Sequence, residues 1–324
     1  MQSRNGLSGF VVAAVTAAIM AVTGTMLGQS NTWSAGAPMP TARLGAAFGV
    51  IKGKVYVVTG ATSSAIVNNN EIYNPAKNTW TSGTPIPTGR YVPASAVVNN
   101  ILYVIGGCNS GCTVGGGALT VVEAYNPATD SWSTKSPLPT ATDSVYAIAN
   151  KGLIYVVGGY VQGPGRVATV YVYNPVSDSW TQAASMKVAK SNPALGVLGG
   201  IISAGGYANN NQDTNDNESY STGKNTWKTV APIPTARAGS CFGVYKGKFY
   251  VAGGAGGGDG NTPADVLEDY VGATKSWGTL ASMPQAVIAP ASAMVKGKLY
   301  CVGGANSGYL FEGVPVDNVQ IYHP

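Results

Sequence analysis

The chain has 324 residues, of which 45% are hydrophobic and only 10% are charged, and it contains 44 glycines and 19 prolines. The hydrophobic content excludes a disordered chain, and the abundance of turn-forming residues favours many short strands. The formal net charge is +5, but lysine and arginine are scattered along the sequence, so no basic stripe indicates nucleic-acid binding.

The first 28 residues differ in composition from the rest of the chain. An early Arg4 precedes an apolar stretch from Phe10 to Val22, which is the layout of a secretory signal. This stretch is shorter than the roughly 20 residues of a membrane-spanning helix, although counting from Gly9 to Leu27 leaves an uncleaved anchor open. We therefore predict a signal peptide at 1–28 and a secreted, periplasmic or cell-surface protein, with membrane contact only if that segment is retained.

The four cysteines suit an exported protein. Cys108 and Cys112 lie four residues apart in a glycine-rich loop, and we predict a small disulfide between them. Cys241 and Cys301 lie inside apolar strand patterns. The simplest interpretation is that both are small buried core residues, although their spacing leaves a bridge open.

Six copies of one unit fill the remainder of the chain. The tryptophans at 33, 80, 132, 180, 227 and 277 recur every 47 to 52 residues. After each one come a turn, an apolar strand, a two-residue turn and a second strand, usually closed by Gly-Gly. A variable loop and a third strand with a Tyr complete the pattern, so each repeat contains four short strands.

The glycine pair and the seven-residue Tyr-to-Trp spacing resemble the Kelch repeat, and the resemblance covers residues 31 to 324. It implies an all-β fold, a six-bladed β-propeller occupying residues 29–324. The sixth repeat lacks its tryptophan strand, whereas "NTWSAG" near the start of the chain supplies one. We therefore expect the N-terminal strand to pair into the C-terminal blade and close the ring.

One position in each repeat, three residues after the Pro-x-Pro turn, is rich in cations. We expect it to face one mouth of the central channel, where converging charges attract an anion, although packing of the turn is an alternative. The ligand-binding candidates here are Arg43, Arg90, Lys190 and Arg237, whereas Thr142 and Val287 interrupt the ring. We interpret the in-phase acids Glu71, Glu123, Glu218 and Glu268 as scaffold groups.

The variable loops should open on the same face, where binding usually occurs on a rigid scaffold. Tyr160, Tyr207 and Tyr309 are candidates for stacking against a ligand. Glu312 and Asp143 are acids without counterparts in most repeats, and either is a candidate general acid or base if its pKa is raised. A solvated loop carboxylate is the alternative for both.

The only histidine is His323, so we expect no histidine-based metal centre and no cofactor. We predict a monomeric, exported binding module for a carbohydrate or protein ligand, held at the central funnel and the variable loops. The alternative is a metal-independent enzyme acting on acidic sugars, because the architecture is similar to that of the sialic-acid mutarotases. That resemblance extends to the fold and does not assign catalytic residues.

Overall fold

A computed structural model describes residues 30–110, 112, 117–258, 261–308 and 313–324. These ranges contain thirty β-strands and no α-helix. Within them, no helix has the length and hydrophobicity needed to cross a membrane. The predicted signal segment 1–28 lies outside the described residues.

Most of the strands form six four-stranded antiparallel sheets, the blades of a propeller, and the rest form three two-stranded sheets. Strand β1 is Thr32–Gly36. Blade 1 contains β2 to β5, at Ala47–Ile51, Lys54–Val58, Asn70–Asn74 and Thr79–Gly83. Blade 2 contains β6 to β9, at Ala94–Val98, Ile101–Ile105, Val122–Asn126 and Ser131–Lys135.

Blades 3 and 4 carry additional short strands in their loops. Blade 3 and its hairpin contain β10 to β15, at Tyr146–Asn150, Leu153–Val157, Tyr160–Val161, Gly165–Arg166, Val170–Asn174 and Ser179–Ala183. The chain then forms β16 to β21, at Lys190–Ser191, Ala194–Val197, Ile201–Ala204, Tyr207–Ala208, Asn217–Ser221 and Thr226–Thr229. Blade 4 consists of β17, β18, β20 and β21, while β16 pairs with β19 beside it.

Blade 5 and its hairpin contain β22 to β27, at Cys241–Tyr245, Lys248–Ala252, Ala255–Gly256, Thr262–Pro263, Leu267–Val271 and Ser276–Thr279. Blade 6 contains β28 to β30, at Ala291–Val295, Lys298–Val302 and Val319–His323. Its fourth strand is β1, which pairs with β30 so that Trp33 lies opposite Tyr322. The predicted six-bladed propeller, closed by the N-terminal strand, is confirmed.

The tryptophans join each blade to the previous one. In every blade the ring of the fourth-strand Trp lies 4.9 to 5.3 Å from the ring of the third-strand Tyr. The indole N–H then donates to a backbone carbonyl of the preceding blade, as Trp80 does to Ala37 at 2.9 Å. Each tryptophan therefore packs within its own blade and satisfies its N–H on the preceding blade.

The turns before five of the six tryptophans reinforce these junctions. Asn78 adopts a positive φ of 52°, which asparagine and aspartate tolerate better than most residues. Its Oδ1 accepts hydrogen bonds from the Tyr73 hydroxyl and the Ala37 backbone N–H, both at 2.6 Å. Asn31, Asp130, Asp178 and Asn225 accept equivalent bonds across their own blade junctions.

Aromatic side chains fill the centre of the ring. Phe48, Tyr146 and Phe242 come from the first strands of alternate blades, and their ring centroids lie 5.7 to 6.4 Å apart. In blade 2, which lies between two of these blades, the Ser95 hydroxyl accepts a hydrogen bond from the Phe48 backbone N–H and donates one to its carbonyl. The funnel predicted from sequence is thus packed at this level, so ligand contact is to be sought in the loops around it.

All four cysteines form disulfides. Cys108 is bonded to Cys112, within the loop that follows the second strand of blade 2. Cys241 is bonded to Cys301, which joins β22 of blade 5 to β29 of blade 6. Cys241 and Cys301 are buried, as expected, and they form the disulfide that their spacing left open.

Candidate ligand-binding site on the loop face

The face of the propeller that carries the loops between second and third strands is called the loop face here. On this side, Arg43, Arg90, Lys190 and Arg237 are at most 1% exposed. Arg43 and Arg90 form ion pairs with Glu71 and Glu123. Lys190 lies 3.9 Å from Glu218, and Arg237 lies 2.9 Å from Glu268.

Burial dominates the electrostatics of these pairs. It lowers the pKa of Arg90 and Arg237 to about 10, while the neighbouring carboxylates act in the opposite direction. Burial also lowers the pKa of Lys190 and raises that of the Glu123 carboxyl. At neutral pH the arginines remain protonated, so blades 1, 2 and 5 each contain a compensated buried pair.

The structure contradicts the expected exposure of the four cations at a channel mouth. Each points into its own blade, because successive residues of an extended chain point to opposite faces and the cation precedes the loop-face position by one residue. Arg43, for example, donates to the carbonyl of Val57 at 2.8 Å as well as to Glu71. Direct ligand contact by these side chains stays a prediction, and what the geometry shows is a structural role.

The residue after each cation position belongs to a short three-residue row on the loop face. In blade 1, Leu44 pairs with Ala61, which pairs in turn with Ile66. Residues directly opposite one another in an antiparallel ladder place their side chains on the same face. The next residue in each blade has a positive φ, and backbone hydrogen bonds such as Val92 N–H to Gly45 carbonyl, at 2.9 Å, link the blades around the axis.

The six rows divide the loop face into two sectors. Apolar or aromatic residues form the rows of blades 1, 2, 5 and 6, namely Leu44–Ala61–Ile66, Tyr91–Cys108–Ala118, Ala238–Ala255–Pro263 and Ile288–Ala305–Pro315. Polar and charged residues dominate the other two rows, Asp143–Tyr160–Arg166 in blade 3 and Ser191–Tyr207–Asp213 in blade 4. The polar sector, defined by these two adjacent rows, is the candidate site.

Arg166 joins the two halves of the polar sector. Its guanidinium carbon lies 4.2 Å from the centre of the Tyr207 ring and 6.0 Å from that of Tyr160. Its Nη1 donates to the Asn211 side chain at 3.1 Å, and its backbone N–H donates to Asn209 at 2.9 Å. The cation is thus stacked and oriented by residues of the next blade.

Asp143 lies at the inner end of this row and is 2% exposed. Its Oδ2 is buried and accepts no hydrogen bond. Burial raises the pKa of the Asp143 carboxyl to about 6, whereas a hydrogen bond from Ser144 and the positive charge of Arg166 oppose the shift. The carboxyl therefore titrates close to neutral pH, unlike an ordinary surface aspartate.

The sequence-predicted residues are distributed as follows. Asp143, Tyr160 and Tyr207 come together in the polar sector, whereas Tyr309 and Glu312 lie outside the described residues. Sequence reasoning missed Arg166, although it is the only lysine or arginine in the six loops that follow the glycine pairs. Among the described residues, no three His, Cys, Asp or Glu side chains are grouped so as to hold a metal ion.

Comparison with known proteins places the chain in a family. The family model of the KLHDC2/KLHL20/DRC7 Kelch-repeats domain matches residues 82–254, more than half of the chain, and a Kelch motif matches residues 42–87. The solved structure titled "Structure of YjhT" superposes with a TM-score of 0.74 at 19% identity, over 88% of this chain and 96% of that one.

Curated relatives are similar over parts of their length. Kelch-like protein terF of Aspergillus terreus is 26% identical over 69% of this chain and 52% of its own length. Kelch-like protein 36 of Bos taurus is 28% identical over 43% of this chain, and the matched region is about a quarter of that protein, 24%. Kelch domains typically mediate interactions with other proteins. The chain belongs to the Kelch-repeat family.

Proposed function

We propose that this protein is an exported binding module that holds a neutral carbohydrate on the polar sector of its loop face. The observation that carries the proposal is the Arg166 guanidinium, stacked on Tyr207 and held by Asn211. Planar donors and amide groups beside aromatic rings suit the hydroxyls and apolar faces of sugars. The apolar rows of the other four blades offer far fewer polar groups.

The balance of charge favours a neutral ligand over an acidic one. Arg166 contributes one positive charge, but Asp143 and Asp213 lie in the same two rows. The four cations that could have added positive charge are buried and paired with carboxylates. A carboxylate on the ligand would therefore meet no excess of positive charge.

Export is supported by the cysteine chemistry. Both disulfides, Cys108–Cys112 and Cys241–Cys301, are of the kind that persists in oxidising compartments and is rare in reducing ones. The apolar stretch near the start of the sequence agrees with this proposal. Fractionation of cells producing the chain, with mass spectrometry of its N-terminus, tests it directly: an intact N-terminus on soluble protein in the reducing cytosol contradicts export.

The binding proposal is tested by thermal shift with maltotriose, chitotriose, glucuronic acid and N-acetylneuraminic acid. A ligand that binds only the folded state raises the Tm. We expect a rise with a neutral oligosaccharide that is lost in Arg166→Ala and kept in Lys187→Ala, a cation of the same face outside the rows. No rise with any sugar overturns the proposal in favour of a protein partner.

A second candidate function, a metal-independent enzyme acting on acidic sugars, is favoured by one observation. The pKa of Asp143, raised to about 6 by burial, suits a general acid or base near neutral pH. If the candidate is right, the protein accelerates mutarotation of N-acetylneuraminic acid, followed by NMR, and Asp143→Asn abolishes the acceleration. An unaccelerated reaction with the wild-type chain rejects it.

A further inference from the structure

Blade 3 contains a cavity at the position where four other blades bury a cation. Thr142 stands where blades 1, 2, 4 and 5 have Arg or Lys, and Tyr171 stands where they have Glu. A cavity of about 200 Å³ is lined by Thr142 and Tyr171 together with Thr140, Val156 and Thr169. Thr142 is shorter than Arg or Lys, and the Tyr171 hydroxyl lies 2.9 Å from the Thr140 hydroxyl, so volume remains beside them.

The lining of this cavity matches the surroundings of Arg43 in blade 1. Arg43 donates to the carbonyls of Thr41 and Val57, at 3.1 and 2.8 Å, and to the Glu71 carboxylate. The blade 3 counterparts of those three residues are Thr140, Val156 and Tyr171, and all three line the cavity. The residues that supply backbone acceptors in blade 1 therefore have counterparts around this cavity, where the Thr140 carbonyl accepts from the Thr142 hydroxyl at 2.9 Å.

Blades 2 and 4 point to another acceptor. Arg90 donates to the carbonyl of Val121 at 2.9 Å, and Lys190 donates to that of Asp216 at 3.4 Å. The blade 3 counterpart is the carbonyl of Thr169, which accepts from the Gly158 backbone N–H at 3.0 Å. A carbonyl oxygen has two lone pairs, so Thr169 retains capacity for a second donor.

Blade 6 also lacks the cation, and its described residues fill the position differently. There the position holds Val287, which is fully buried. The glutamate position holds Gln320, whose amide accepts from the Gln285 backbone N–H at 2.9 Å and donates to its carbonyl at 3.0 Å. An apolar side chain and a closed amide pair thus complete blade 6, whereas blade 3 retains open volume.

We propose that the blade 3 cavity binds an alkylguanidinium group, such as the end of an arginine side chain presented by a partner. Three of the four filled blades place a guanidinium here, and the carbonyl acceptors are those it uses. Val161 and Pro164, from the hairpin formed by β12 and β13, also line the cavity. None of the residues that line the cavity in the described part of the chain is charged. Binding therefore relies on carbonyl dipoles, and we expect modest affinity.

The test is a titration of the ¹⁵N-labelled chain with ethylguanidinium, followed by NMR, with the neutral N-ethylurea as a matched control of similar shape. We expect saturable shifts of the Gly158 and Thr169 amides with half-saturation below about 10 mM, and at least about tenfold weaker binding of N-ethylurea. Equal binding of the two compounds, or no saturable shift with ethylguanidinium, overturns the proposal.

Two variants locate the site. Thr142→Leu should occupy the cavity with an apolar group, as Val287 does in blade 6, and weaken ethylguanidinium binding about tenfold. The double variant Thr142→Arg with Tyr171→Glu should rebuild the ion pair of the other blades and abolish binding. Retention of binding by both folded variants rejects the cavity as the site.

This inference does not depend on the proposed carbohydrate site. Arg166→Ala should remove sugar binding and spare ethylguanidinium binding, because Arg166 does not line the cavity. Thr142→Leu should have the opposite effect. The failure of either proposal is thus observed separately from that of the other.

Discussion

Blades 2 and 3 are neighbours with the same four-strand plan, yet they use it differently. Blade 2 buries the Arg90–Glu123 pair, and its loop-face row consists of Tyr91, Cys108 and Ala118. Blade 3 has lost the ion pair, and its row contains Asp143 and Arg166. The charged side chains thus lie in the interior of blade 2 but on the loop face of blade 3.

The contrast shows how a repeated scaffold can differentiate. In a ring of similar blades, stability is distributed over many equivalent contacts. If one blade changes, the tryptophan and Asn or Asp contacts at the junctions still hold its neighbours in place. One blade can then lack the buried ion pair and carry polar residues on its loop face, even if this lowers the stability of that blade. We interpret the departures from the repeat, rather than the repeated residues, as the places where binding occurs.

The largest expected effect is on the stability of blade 2. Arg90→Met leaves the buried Glu123 carboxylate without its partner and should lower the free energy of unfolding by about 3–5 kcal/mol. Thr142→Val, at the same position of blade 3, should change it by less than about 1 kcal/mol. Urea unfolding followed by tryptophan fluorescence measures both.

A double variant separates the pair from the packing around it. Arg90→Met combined with Glu123→Leu should recover much of the loss, since no charge is then left buried alone. If Arg90→Met costs no more than Thr142→Val, the buried pair does not distinguish the two blades.

The second effect concerns pH. Burial raises the folded-state pKa of Asp143 to about 6, so the fold favours the protonated carboxyl. The contribution of this group to stability is complete below the unfolded pKa of about 3.9 and is lost as the pH rises through 6. Asp143→Asn should therefore stabilise the protein by up to about 3 kcal/mol at pH 8 and by almost nothing at pH 4. Thermal unfolding across this pH range measures the difference.

Asp178 provides the matched control for this pH dependence. Hydrogen bonds from the Tyr173 hydroxyl and the Ser136 backbone N–H lower its pKa. Its contribution is present above the unfolded pKa and is lost as the pH falls, so Asp178→Asn should lower stability at neutral pH. A change of the same sign in both variants contradicts the assigned environments.

A smaller effect is expected at Arg166. Arg166→Ala removes the stacking on Tyr207 and should lower stability by about 1 kcal/mol. It should also raise the pKa of Asp143 above 6, because the positive charge of Arg166 opposes the shift caused by burial. Carboxyl NMR titration measures this change, and an unaltered pKa means that the two groups are not coupled.

The smallest effect is expected at Tyr160. Its ring centre lies 6.0 Å from the Arg166 guanidinium, farther than that of Tyr207. Tyr160→Leu should change stability by less than about 0.5 kcal/mol, whereas Tyr207→Leu should exceed that in the same unfolding experiment. An equal cost for both would mean that the stacking is shared evenly between the two rings.

Part of the candidate site could be predicted from the sequence. Asp143, Tyr160 and Tyr207 follow the turn and glycine signals that recur in each repeat, so their positions on the loop face follow from the repeat itself. Arg166 follows a glycine-rich turn without an in-phase counterpart, and only the pairing of Tyr160 with Arg166 places it in the row. Of the two interpretations of the four cations, exposure at a channel mouth does not agree with their burial, whereas packing of the turn does. A displacement of one residue along an extended chain reverses the side chain.

The sequence by itself determined the number of blades, the four strands in each and the closure by β1, because these depend on local periodicity and on one missing tryptophan strand. Only the tertiary structure decided which distant residues meet. The fold brings Cys241 and Cys301, 60 residues apart, into a disulfide. It also lines one groove, on the side opposite the loop face, with Lys52, Lys54, Lys296 and Lys298. It also sets Arg166 of blade 3 on Tyr207 of blade 4. The physical reason is that strands form from neighbouring residues, whereas contacts between blades arise when the ring closes and brings separate repeats into van der Waals contact.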